Sequence, residues 1–85
     1  MSAYRSKGGT LVPLTSLRLT FQMPLLLEPA KAQHFADLMS NGQEFPPVQV
    51  RKTAGEAYEL LDGHHRQRAS HLCSFTHIPV EIMDE

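Results

Sequence analysis

Residues 62 to 66 read Asp-Gly-His-His-Arg. A strand-like apolar run, Tyr58 to Leu61, precedes them and a helix-like stretch follows. A strand that ends in glycine and feeds a helix aims its first free backbone N–H groups at whatever occupies the turn. The helix dipole adds positive potential there, so an anion is favoured. Gly63 lets the backbone come close, His64 and His65 add ring N–H donors, and Arg66 adds a planar fork matched to phosphate oxygens. Arg68 lies two residues on and faces away from Arg66 on a helix. The GxxxxGK[ST] pattern of a Walker loop is absent, so this is a phosphate cradle of another kind. The plain alternative is that Asp62, His65 and Arg66 cap the helix and pair on a solvated surface.

The flanking elements must hold this turn. Residues 15 to 22 read as a half-buried strand, with Leu17, Leu19 and Phe21 alternating with Arg18, Thr20 and Gln22 and with Pro24 ending it. Pro29 suits a first helical turn, with Glu28 beside it at the positive end of the dipole. Ala32, Phe35, Ala36 and Met39 then fall on one helical face, with Leu38 alongside, and Asn41-Gly42 is a stop signal. Val48 and Val50 make a short strand, Thr53 to Glu56 a turn, and residues 57 to 62 the next strand. A second helix is predicted from about His64 to Ser74, with Ala69, Leu72 and Cys73 inward. Ile78 to Met83 form a last strand, in which Pro79 favours an edge or a strand start. Residues 1 to 15 are polar, with a glycine pair and a proline, and read as a flexible lead-in to a single domain over 16 to 85. The order is β-α-β-β-α-β, a small α+β fold with a mixed sheet.

Size and composition narrow the function. With 85 residues, a core of this kind is near the lower limit for folding alone. The chain is 41% hydrophobic and 20% charged, as globular proteins are. A net charge of -1 argues against general polyanion binding, which needs excess Lys and Arg. Cys73 is the single cysteine, so no internal disulfide forms and a reducing, cytoplasmic setting is expected. No apolar run approaches the roughly 18 residues of a membrane span. Five histidines invite a metal reading, but His64, His71, Cys73, Asp62 and His77 match no standard zinc spacing, and no metal is expected. Arg51 and Lys52 could join Arg66 and Arg68 in a basic patch, although a solvated strand end is the simpler view.

Taken together, these segments resemble the ParB/sulfiredoxin superfamily from Leu17 to Met83. LLLEPAKAQHFADL resembles the L-D-P-A-K helix start of sulfiredoxins, FPPVQV their V-P-P-I-D-V strand, and DGHHR falls on their G-G-C-H-R signature. NGQEFPPVQVR, YELLDGHHRQRAS and FTHIPVEI resemble successive blocks of ParB N-terminal domains. The resemblance implies a bacterial, nucleotide-binding fold, with ATP in sulfiredoxin and CTP in ParB, and leaves open whether magnesium accompanies the nucleotide. Carried over by position, phosphate contacts fall on Gly63, His64, His65 and Arg66, and Lys31 lies on the nucleotide side. The free serine kinases of the superfamily use a glutamate base, for which Glu28 is the candidate. His64 is a second catalytic candidate.

Departures from the family pattern shape the expectations. The reactive cysteine of sulfiredoxin is replaced by His64, so sulfinic-acid reduction is not expected. Cys73 reads as a small buried hydrophobe. The sulfiredoxin arginine before the PAK helix is missing, with Phe21 near its place. ParB proteins continue into a helix-turn-helix and a dimerisation domain, whereas this sequence ends at Glu85, so operator binding is not expected. Nuclease activity would need clustered carboxylates for two metals, and none are evident. Three readings remain: a stand-alone nucleotide-binding domain, a small phosphotransferase, or a ParB-type accessory protein with a DNA or protein partner. The oligomeric state stays open.

Overall fold

Buried alternation decides the middle of the sheet. In the computed structural model, which describes residues 2–18 and 28–83, Val48 and Val50 on one strand and Ile78 and Val80 on another are almost fully buried. The strands are β1 (Thr10–Pro13), β2 (Leu17–Arg18), β3 (Val48–Lys52), β4 (Tyr58–Asp62) and β5 (His77–Ile82). The helices are α1 (Pro29–Ser40) and α2 (His64–Leu72), and a 3-10 turn, Leu14–Ser16, links β1 to β2. The strands lie side by side as β1-β5-β3-β4-β2. Antiparallel pairs β1–β5 and β3–β4 alternate with parallel pairs β5–β3 and β4–β2. This is the expected mixed α+β sheet, with the β-α-β-β-α-β order running from Leu17 onward.

Local chemistry accounts for most boundaries. Pro29 stands at the start of α1, where its missing N–H costs nothing, and Ala32, Ala36 and Met39 are its buried residues. After Ser40 the Gly42 N–H donates to the Met39 carbonyl at 3.1 Å, closing the helix with a glycine at positive φ. β3 and β4 are a hairpin, closed by Thr53 N–H on the Ala57 carbonyl at 3.0 Å. Its ladder slips between Gln49 and Val50: Val50 faces Leu60 but Gln49 faces Asp62. Leu61 is the extra residue and is exposed. Such a bulge bends the strand and re-aims the residues after it, here Asp62 and Gly63.

Several expectations are corrected. Residues 1 to 15 are not a flexible lead-in over the described range. Thr10–Pro13 is an edge strand paired with β5, and Tyr4 is only 3% exposed within the core. Backbone bonds hold the segment: Thr76 and His77 donate to the Ser2 carbonyl at 3.0 and 2.7 Å, and Phe45 to that of Arg5 at 2.9 Å. Leu72 is exposed, because α2 buries Gln67, Ala69 and Ser70 instead. Pro79 lies on an interior strand of the sheet. The β3–β5 ladder begins at Val48 opposite Val80, so Pro79 precedes it and no bond on that side is lost. The strand proposed over residues 15 to 22 is described at Leu17 and Arg18; Leu19, Thr20, Phe21, Gln22 and Pro24 lie outside the described residues. Among the described residues no helix is long and apolar enough to cross a membrane.

Candidate functional site

Gly63 begins α2 in the left-handed region, with φ 101° and ψ 29°. A Cβ there would stand 2.6 Å from Val48 Cγ1 and 2.9 Å from Arg66 Nη2. Both conformation and space therefore demand glycine, and β3 is pressed directly against the turn. The Gly63 N–H donates to Asp62 Oδ1 at 2.9 Å. Gln67 N–H donates to the Gly63 carbonyl at 2.9 Å, the first bond of the helix. The N–H groups of His64, His65 and Arg66 head that helix, where no intrahelical acceptor exists.

Across from this turn stands the N-terminus of α1. Glu28 precedes the helix, and its backbone N–H donates to His65 Nε2 at 2.8 Å. An accepting Nε2 places the proton of a neutral His65 on Nδ1. Lys31 lies one turn along α1, with its ammonium 5.7 Å from the centre of the Phe35 ring, a cation–π distance. The Phe35 ring in turn meets His65 edge to face at 6.3 Å. Between the two helix starts is a cavity of ≈350 Å³ lined by Lys31, Phe35, Asp62, Gly63, His64, His65 and Arg66.

The electrostatics of this cavity are unbalanced. Two helix N-termini and two permanent cations, Lys31 and Arg66, face one carboxylate, Asp62. His64 Nε2 and Arg66 Nε are closed off from solvent without a hydrogen-bond partner, as is Gln67 Oε1. Buried polar atoms are normally satisfied, so two orphaned nitrogens in one turn point to an acceptor. Burial holds the His64 ring below the ordinary histidine value; Asp62 pulls it back up and His65 pushes it further down.

The structure brings Lys31, Gly63, His64, His65 and Arg66 together at one cavity, and Glu28 touches it through its backbone. The Glu28 side chain makes no cap bond to α1. Phe35 was expected only in the core, yet it is half-buried and walls the cavity; its four-residue spacing from Lys31 was the available signal. His34 is exposed outside the cavity lining. Cys73 caps the far end of α2, where Sγ donates to the Ala36 carbonyl at 3.2 Å. Burial, followed by the Asp37 charge, raises its thiol pKa, as suits a packing residue. Arg51 forms an ion pair with Glu59, its cross-strand partner, on the exposed side of the hairpin.

The sheet and its two helices match the ParB/sulfiredoxin-like fold. The family model for the ParB N-terminal domain matches residues 3–85, and the chain belongs to that family. No curated protein sequence matches. Solved structures share the fold at low identity. ParB from Caulobacter crescentus, complexed with CTP-γ-S, superposes with a TM-score of 0.78 at 16% identity, over 92% of this chain and 45% of that one. Sulfiredoxin from Arabidopsis thaliana gives 0.71 at 20%, over 89% and 86%. A free serine kinase in complex with AMP gives 0.73 at 20%, over 95% and 34%. The chain thus spans less than half of the ParB and about a third of the kinase.

Proposed function

We propose that this domain binds a nucleotide, ATP or CTP, with its phosphates over Gly63, His64, His65 and Arg66 and with Lys31 reaching them from α1. The observation that carries the reading is the cavity at two converging helix starts, with the orphaned nitrogens of His64 and Arg66 beside it. Its ≈350 Å³ is at the small end of ligand sites, enough for a phosphate chain with Phe35 as an apolar wall. Proteins of the same fold have been captured with CTP-γ-S, AMP and ADP, which supports the class of ligand. The bound nucleotide would supply an activated phosphate. Arg66 and Lys31 would hold its charge, and magnesium would offset Asp62. Titration of ¹⁵N-labelled protein with ATP, ADP and CTP, with and without magnesium, should give saturable shifts centred on the amides of residues 63 to 66. A well-dispersed spectrum without such shifts at millimolar nucleotide would overturn the reading.

One extension is phosphoryl transfer to a small hydroxyl, for which the Glu28 backbone contact to His65 puts residue 28 at the edge of the cavity without placing its carboxylate there. Glu28 would act as base, with His64 or His65 stabilising charge. Glu28→Gln should then abolish turnover and leave nucleotide binding intact. Equal activity in the variant removes Glu28 from the role. A ParB-type DNA contact would instead appear as a salt-dependent shift with duplex DNA, and its absence at low salt would end that reading.

A further inference from the structure

Rings form a continuous path from the N-terminal segment to the phosphate turn. Tyr4 meets Phe45 edge to face with centroids 6.1 Å apart. Phe45 meets Phe35 at 5.1 Å, and Phe35 meets His65 at 6.3 Å. Phe35 and His65 both line the phosphate cavity, whereas Tyr4 does not. A second path runs through the sheet. Tyr4 and Val48 belong to one buried cluster, and Val48 is the side chain that closes on Gly63. The Tyr4 hydroxyl is fixed by donation to the Pro46 carbonyl at 2.7 Å, two residues before Val48.

We infer that Tyr4 is a positioning residue of the phosphate site, bracing the Gly63 wall through residues 46 to 48 and the His65 ring through Phe45 and Phe35. Arg66 joins at the turn itself, where its Nη2 lies 2.9 Å from the place a Cβ on Gly63 would take, on the same wall that Val48 closes. Pre-set donors of this kind bind an anion without reorganising. The consequence for ligand affinity rests on the nucleotide reading above; the brace itself does not.

Tyr4→Phe keeps the ring and its Phe45 contact and removes only the hydroxyl. In ligand-free ¹⁵N-labelled protein, the Arg66 Nε–H resonance and the Gly63 to Arg66 amides should move, while amides at the far end of α1 stay. ATP affinity should fall about tenfold, within the range by which such indirect contacts tune a site. Phe45→Leu should displace the His65 ring signals while the Arg66 Nε–H stays. A side chain that merely filled the core would lower stability and leave these resonances unmoved, and that result would overturn the inference. A wild-type protein that ignores both ATP and CTP would instead refute nucleotide binding. The ligand-free Arg66 and His65 signals would still decide the brace.

Discussion

A methyl group at position 63 would meet Val48 Cγ1 at 2.6 Å, on a backbone already at φ +101°. The left-handed conformation alone costs a side chain about 1–2 kcal/mol, and overpacking adds about 1–3 kcal/mol. Gly42 offers the comparison: its φ is +86°, yet nothing lies within 4 Å of the added atom. Urea unfolding should show Gly63→Ala losing about 3 kcal/mol and Gly42→Ala about 1 kcal/mol. Equal losses would mean that β3 does not press on the turn. His64 adds a pH dependence of definite sign. Its folded pKa lies below the ordinary value, chiefly through burial. Below about pH 6.5 the unfolded chain therefore takes the proton first. This contribution to stability is complete above about pH 6.5 and is lost as pH falls through the folded value. The urea midpoint should drop between about pH 7.5 and 5.5, and His64→Gln should flatten that slope. A bound phosphate favours the charged ring, so ATP affinity should rise over the same interval. An affinity independent of pH would remove His64 from the phosphate contact.

Elements with marked ends were legible. α1 begins at Pro29 and stops before Asn41-Gly42, as the residue types require, and the β3–β4 hairpin follows its alternation. That residues 63 to 66 gather at one turn was legible too, because a glycine there starts a helix and basic groups follow it. What escaped depends on contacts distant in sequence. β1 buries only Val12 of its four residues, too short an alternation to register. The Glu28–His65 bond spans 37 residues. The inner face of α2 was misread because it is small and polar: Gln67 and Ser70 are buried beside Ala69, and Ser70 Oγ bonds back to the Arg66 carbonyl at 2.9 Å. That composition lets α2 approach α1 closely, where a Leu72 inward would hold it off. Adding volume to the inner face should therefore cost more than removing it from the outer one. Ala69→Leu should destabilise by about 1–3 kcal/mol, and Leu72→Ser by less than about 0.5 kcal/mol, in chemical denaturation. The reverse ranking would show Leu72 facing the helix interface in solution.

At the scale of the whole molecule, the N-terminal segment ties separate parts of the domain together. Its backbone accepts from Thr76 and His77, at the start of β5, and from Phe45, three residues before β3. β5 and β3 are neighbours in the middle of the sheet, so these bonds fix where two central strands begin. Tyr4 fills the space between, against Phe45 and the core cluster. A domain of this size holds only about 5–10 kcal/mol of stability. Losing one buried aromatic ring costs about 3–5 kcal/mol. Deleting residues 2 to 9 leaves β1 in place but removes the ring and the three backbone acceptor contacts. Since 1 kcal/mol shifts the midpoint of such a domain by about 4–8 °C, the thermal transition should fall by at least about 15 °C. Circular dichroism melts of the full and shortened chains would measure this. A fall below about 4 °C would mean the segment rests on a core that is complete without it. A large fall, with Tyr4→Phe still melting cooperatively, would show that the segment holds the sheet together through its backbone bonds and the Tyr4 ring rather than through the hydroxyl.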